Sequence, residues 1–282
     1  MVDDPHEDFR RAVDGPDEAI DLARAALVIA RSDYPDLDTG AYISRLDHLS
    51  IQVSRRLAIP AAQSARNVDR SIAALNHVLF EERGYQGNRE NYFDPKNSFL
   101  NQVIELKRGI PITLSVLYME IARRIELPLQ GVGFPGHFLV KYSDDKEEII
   151  IDPFNRGEIR SLTSLKKLLR HLYGGRIAFQ PGLLDAVTKK QILRRMLNNL
   201  KAAYLRENDL LKGLYVLHRL LILEPNSAED LRDRGAVHLK LECFNQALED
   251  FETYLRLFSE AEDAPLIRER VIDLKKQVTQ IH

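Results

Sequence analysis

The chain has 282 residues, of which 44% are hydrophobic and 29% charged. Its 40 Lys and Arg stand against 42 Asp and Glu, a formal net charge of −2. These values exclude a disordered, collagen-like or coiled-coil chain and argue against a nucleic-acid partner, which calls for a basic excess. A single cysteine, Cys243, allows neither an internal disulfide nor a cysteine-based zinc site and points to a reducing, cytoplasmic compartment. The opening MVDDPHEDF is too acidic for a signal or transit peptide. No run approaches the ~18 apolar residues of a membrane span, so no membrane partner is expected.

Helical spacing comes first along the chain. Residues 17–31, after Pro16, place Ile20, Ala23, Leu27 and Ala30 on one face. Residues 41–57 do the same with Leu46, Leu49, Val53 and Leu57, and residues 68–82 with Ile72, Leu75 and Leu79 before a stop at Gly84. Residues 84–97 (GYQGNRENYFDPKN) read as a long polar loop, either functional or a solvated connector. A short helix over 98–107 has Asn97 or Ser98 as its N-cap. The helix over 111–125 looks the most buried, with Pro111 at its first position and Leu114, Leu117, Tyr118 and Ile121 at helical spacing.

After Pro128 the texture changes to strand, over 129–134, 137–142 and 147–152. The last two form a hairpin across the loop Ser143–Lys146. The run Pro153–Gly157 reads as the end of the sheet. A helix over 163–173 follows, then Gly174, Gly175, Pro181 and Gly182 mark a linker, with a domain boundary near residue 182.

From residue 188 the pattern is helical and repeats at an offset of 34 residues: Lys201 maps to Gly235, Tyr204 to His238, Gly213 to Ala247, Leu217 to Phe251 and Pro225 to Ser259. These are the marker positions of a tetratricopeptide repeat, with small residues where paired helices touch and a large apolar plug. The first copy lacks the small residue at Lys201. Residues 264–281 supply a capping helix. Such an array either offers a concave surface to a protein or peptide, or serves as a helical lid.

The hairpin also places a candidate for chemistry. Pairing Tyr142 with Glu147 puts Leu139 opposite Ile150 and His137 opposite Asp152, within hydrogen-bond reach. An Asp-held imidazole is two thirds of a nucleophilic triad; equally it is a structural bond. The third member belongs at a helix N-terminus, where free N–H groups lower a thiol pKa, and the helix opening at Pro111 is the one at hand.

The runs Lys107-Arg108-Gly109-Ile110-Pro111, Gly133-Phe134-Pro135-Gly136-His137-Phe138-Leu139-Val140 and Ile151-Asp152-Pro153-Phe154-Asn155 resemble the bacterial SirB family, a transglutaminase-like domain followed by tetratricopeptide repeats. The same domain type is similar to one in a eukaryotic F-box protein. The resemblance covers residues 35–260. It implies an α+β, mostly helical fold, in which a transglutaminase or papain-like core sets a central helix against a small antiparallel sheet and is followed by an all-α repeat region. The divisions are 1–34 as an N-terminal helical segment, 35–182 as the transglutaminase-like domain and 183–282 as the repeats with their capping helix.

In that superfamily a Cys opens the central helix and pairs with His and Asp on adjacent strands. His137 and Asp152 match the latter two, but the Cys position falls at or beside Pro111, which offers no nucleophile. Thr113 and Ser115 are the nearest hydroxyls, and an alkoxide needs stronger activation than a thiolate. Asn97, Ser98 and Asn101 are candidates to line the cleft, and Arg108 either holds an anion there or pairs on the surface. The eight His are scattered and no HExxH or CxxC occurs, so neither metal nor cofactor is expected. The sequence thus implies a transglutaminase-like protein without its thiol, acting as a protein-binding adaptor. The alternative is a hydrolase or acyltransferase built on Thr113 or Ser115 with His137 and Asp152.

Overall fold

Short acidic and hydroxyl side chains decide where the helices of this protein start. A computed structural model describes residues 6–58 and 67–281. After α1 (Glu7–Val13), the expected helix over 17–31 is divided. Asp17–Ala19 is a single 3-10 turn, and α2 (Leu22–Ala30) begins only where the Asp21 carboxylate accepts from the Arg24 N–H. Asp21 and Asp38 act alike, each satisfying one of the unpaired donors of a first turn; Asp38 opens α3 (Thr39–Leu57). α4 (Asn67–Asn76) runs on into a wider π turn over His77–Glu82, and Gly84 then takes a φ of 73°.

The polar stretch 84–97 carries more structure than a loop. β1 (Gln86–Gly87) pairs in parallel with β2 (Arg108–Gly109). Asn97 Oδ1 accepts from Asn88 at 3.0 Å, and Asn97 Nδ2 donates to the Asn91 carbonyl at 2.6 Å. The N-cap expected of Asn97 or Ser98 is therefore absent. Both residues lie in a 3-10 turn, Pro95–Ser98, capped by Asp94, and α5 (Leu100–Leu106) starts after Phe99 with no side-chain cap.

Central to this part of the chain is α6 (Pro111–Arg124), whose residues 111 to 122 are all buried. A helix apolar on every side must be enclosed, and α6 packs against α2, α3, α5 and the sheet. That sheet has four antiparallel strands in sequential order: β3 (Gln130–Val132), β4 (Leu139–Ser143), β5 (Glu148–Asp152) and β6 (Glu158–Arg160). Val132, Leu139 and Ile150 pack with Leu165 and Leu169 of α7 (Leu162–Tyr173).

Two expectations are corrected here. Tyr142 pairs with Ile149 and Ser143 with Glu148, a slip of two residues from the register that sets Tyr142 against Glu147. The cause is Asp144, which accepts from the N–H groups of Lys146 and Glu147 at 2.8 and 2.9 Å and moves the loop to 144–147. A slip of two keeps each side chain on its face, where a slip of one would not. In addition, Pro153–Gly157 does not end the sheet. It is the turn into β6, with Arg156 and Gly157 both at positive φ.

The chain forms two compact units, residues 12–196 and residues 6–11 with 197–281. They part within α8 (Lys189–Arg206), further along than the boundary expected near residue 182. The second unit continues through α9 (Leu210–Leu223), α10 (Ala228–Lys240), α11 (Phe244–Leu257) and α12 (Ala264–Ile281). Its helix pairs touch where the sequence has small residues: a Cβ on Gly235 would come within 2.7 Å of Phe251, and one on Gly213 within 2.8 Å of Leu205. The N-terminal residues belong to this unit too, with Phe9 fully buried beneath the Arg219 guanidinium.

Lys201, the misfit among the repeat positions, has its own solution. Its ammonium lies 2.9 Å from Glu229, 3.0 Å from Asp230 and 2.9 Å from Asp233. Burial acts to lower its pKa, but the three carboxylates outweigh this and raise it above the ordinary lysine value. Removing one partner of a buried ion pair leaves the other uncompensated. Lys201→Ala is expected to destabilise the repeat unit by about 3 kcal/mol, read as an earlier urea transition of the full chain.

Candidate functional site

The residues Phe134-Pro135-Gly136-His137 make a tight turn at the entry to β4. The His137 N–H donates to the Phe134 carbonyl at 3.0 Å, and Gly136 has a φ of 66°. Pro then Gly at the two central positions is what a type II turn requires. The turn is fastened from α8, where Arg195 donates to the carbonyls of His137 at 2.7 Å and Phe134 at 3.3 Å. Burial lowers the pKa of that guanidinium, while Tyr92 and Tyr173 act to raise it. The His137 ring stands edge-on to Phe154, with centroids 5.9 Å apart, and Phe154 in turn meets Tyr92 at 6.4 Å.

His137 Nε2 lies 3.0 Å from Asp152 Oδ1. In the register observed, Leu139 rather than His137 stands opposite Asp152, so the imidazole reaches the carboxylate diagonally from the turn before the strand. Asp152 is fully buried. An isolated carboxylate there would cost several kcal/mol in lost hydration, and its hydrogen bonds explain why it stays ionised. Oδ1 also accepts from the Asn155 N–H at 3.2 Å, and Oδ2 accepts from Asn155 Nδ2 at 2.7 Å. Arg160 adds its Nε at 3.0 Å and Nη2 at 2.8 Å. Burial pushes the Asp152 pKa up, but hydrogen bonds from His137, Asn155 and Arg160 together with the His137 charge prevail and bring it down to about 2. An ionised Asp152 accepts only. Nε2 therefore carries the ring hydrogen, and in the neutral imidazole Nδ1 is left as an acceptor.

The other candidates do not converge on this imidazole. Thr113 Oγ1 donates to the Asn97 carbonyl at 2.6 Å and accepts from the Ile110 N–H at 3.2 Å, so it closes the first turn of α6. Among the described residues, Ser115 Oγ is buried with no hydrogen-bond partner, as is Asn101 Oδ1. Asn97 ties the 88–97 segment to α6, and Ser98 is buried beside it. Arg108 is exposed and lies 3.6 Å from Glu90. Pro111 occupies the first position of α6. Cys243 precedes α11 in the repeat unit.

Arg160, Asn155, Arg195 and Phe154 went unassigned from sequence. The first was legible in principle, since Gly157 followed by the alternation Glu158-Ile159-Arg160 marks a second hairpin. Arg195 gives no local signal, because its target lies 58 residues away. A more apolar hollow of about 430 Å³, lined by Leu22, Met119, Leu127 and Ile192, holds none of the residues singled out from sequence. Among the described residues, the acidic group Glu229, Asp230 and Asp233 is spaced closely enough to hold a metal ion, but it encloses the Lys201 ammonium.

A central helix packed on a small antiparallel sheet, with a His–Asp pair at the strands' end, is a transglutaminase-like arrangement. The sequence profile of the Transglutaminase-like superfamily matches residues 40–198, and that of the Tetratricopeptide repeat matches residues 200–271. The chain belongs to the transglutaminase-like superfamily. Within it the chain is a member of the UPF0162 family. It is 37% identical over 273 residues to a UPF0162 protein of Xylella fastidiosa (strain 9a5c), covering 94% of each chain, and 29% identical over 257 residues to one of Vibrio cholerae, covering 90% of this chain and 92% of the other. It is also similar to F-box only protein 21 of Homo sapiens, at 34% identity over 138 residues, covering 48% of this chain and 22% of that protein.

The Asp152 carboxylate has a folded-state pKa below its ordinary value of 3.8. Its contribution to stability is therefore complete above pH about 4 and is lost as the pH falls toward about 2. Arg160→Met is expected to cost about 3 kcal/mol at pH 7 and to flatten the loss of stability between those two pH values. Urea unfolding of both proteins at pH 7 and pH 3 measures this.

Proposed function

We propose that this chain is a non-catalytic, protein-binding adaptor that keeps the cleft of a transglutaminase-like domain without its nucleophile. The observation that carries the reading is the state of His137. Its Nε2 is held by an ionised Asp152, as acyl-transfer chemistry requires, yet among the described residues that carboxylate is its only side-chain hydrogen-bond partner. A general base has to reach the group it deprotonates. Here Thr113 is consumed in capping, Ser115 is sealed inside the packing of α6, and the helix start carries a proline.

The repeat match over residues 200–271 supports the binding half of the proposal. Tetratricopeptide arrays present helix-lined surfaces to proteins and peptides. A transglutaminase-like domain followed by such repeats is also the order seen in the SirB family. Among the described residues no helix is long and apolar enough to cross a membrane, which fits a partner met in water. The competing reading, a Ser/Thr-His-Asp hydrolase or acyltransferase, gains no support from the positions of Thr113 and Ser115.

The test is to incubate purified protein with amide, ester and isopeptide substrates, alongside His137→Ala. No turnover above buffer in either sample is expected. Turnover that disappears with His137→Ala would contradict the proposal.

A further inference from the structure

A second cleft, of about 440 Å³, runs beside the His137 pair and shares Phe154 and Asn155 with its surroundings. Arg89, Arg108 and Arg156 line it together with two carboxylates, Glu90 and Glu158. The charges do not cancel locally. Glu90 faces Arg108 at 3.6 Å, and Glu158 takes Arg160 at 3.2 Å. Among the described residues, Arg89 and Arg156 have no carboxylate partner.

Both guanidinium groups are nevertheless held in place. Arg89 donates to Asn155 Oδ1 and lies 5.1 Å over the Phe154 ring, while Arg156 donates to the Phe80 carbonyl at 3.1 Å. Neutral partners aim a cation without quenching its charge. The turn beneath is rigid as well. Arg156 has a φ of 58°, which L-residues seldom adopt, and a Cβ on Gly157 would fall 1.9 Å from Asn76 Oδ1. Asn76 in turn donates to the Gly157 carbonyl at 3.0 Å and accepts from the Tyr118 hydroxyl at 2.9 Å. At the base of the cleft Gly87 lies flush with Phe154, where a Cβ would come within 2.5 Å of the ring. Its neighbours Gln86 and Asn88 turn their N–H groups to Lys107 and Gly109, so the alternation of a strand turns the N–H and C=O of Gly87 the other way.

We infer that this cleft binds an acidic peptide segment of a partner protein, with carboxylates seated on Arg89 and Arg156. The inference rests on the protein-binding reading above and gives its partner a chemistry. A guanidinium presents the fork that a carboxylate accepts. An open trench with a strand backbone and the Gln86 amide in its wall suits an extended chain better than a compact ion.

The test is fluorescence anisotropy of the full chain with a short labelled peptide of alternating Glu and Ala, against the same peptide with Gln for Glu. Saturable binding of the first is expected, about tenfold tighter than the second. Arg89→Ala and Arg156→Ala should each weaken it about tenfold, Arg89→Glu further still, and Arg170→Ala, at an exposed position of α7, not at all. Arg89 is exposed, so its variants remain informative if Arg156→Ala disturbs the turn. Equal affinity for the two peptides, or affinity indifferent to Arg89, would overturn the inference. So would binding of inorganic phosphate that depends on Arg89 without binding of the peptide. The two readings fail separately. Conversion of the Gln peptide, followed by mass spectrometry in the same samples, contradicts the non-catalytic function, whereas loss of charge selection contradicts only this inference.

Discussion

The buried Asp152 carboxylate is the constraint around which the transglutaminase-like unit is arranged. It ends β5, caps the turn that follows, accepts Arg160 from β6 and holds His137 before β4. Four pieces of chain are thus fixed to one another by a single ionised group. A carboxylate so placed is stable only while all its donors are present, because a partly satisfied buried network is worse than an apolar one. The orientation of the His137 imidazole therefore serves the fold.

The sequence was informative wherever a pattern was local. The burial of α6 follows from its apolar run after Pro111, and the repeat region from the 34-residue offset that carries Gly213 to Ala247 and Leu217 to Phe251. Legibility failed where one side chain competes with the backbone. Asp21 restarts a helix that periodicity alone runs through, Asp94 caps a 3-10 turn that takes up Asn97 and Ser98 and leaves α5 without a side-chain cap, and Asp144 shifts the hairpin by two residues. It failed again where partners are distant in sequence. Nothing near Arg195 announces that it fastens the His137 turn, and nothing in the polar N-terminus announces that Phe9 is covered by Arg219. His137 meets Asp152 although the hairpin register differs by two residues, because the imidazole reaches across from the turn before β4.

Lys201 shows how a repeat tolerates a residue that breaks its pattern. A long cation at a helix contact is harmful unless its charge is met, and the first two turns of α10 meet it with three carboxylates. In both units a buried charge is met by opposite charge from another element, Arg160 of β6 for Asp152 and the carboxylates of α10 for Lys201.

We propose that His137 stands at the mouth of α6, where Pro111 brings no nucleophile to meet it. The most direct measurement is the pH dependence of iodoacetamide alkylation of Pro111→Cys in a Cys243→Ser background, with and without His137→Ala. The account predicts a thiol that reacts well below its usual pKa of about 8.5 and loses that property when His137 is replaced. A thiol titrating at the ordinary value, indifferent to His137→Ala, would contradict it.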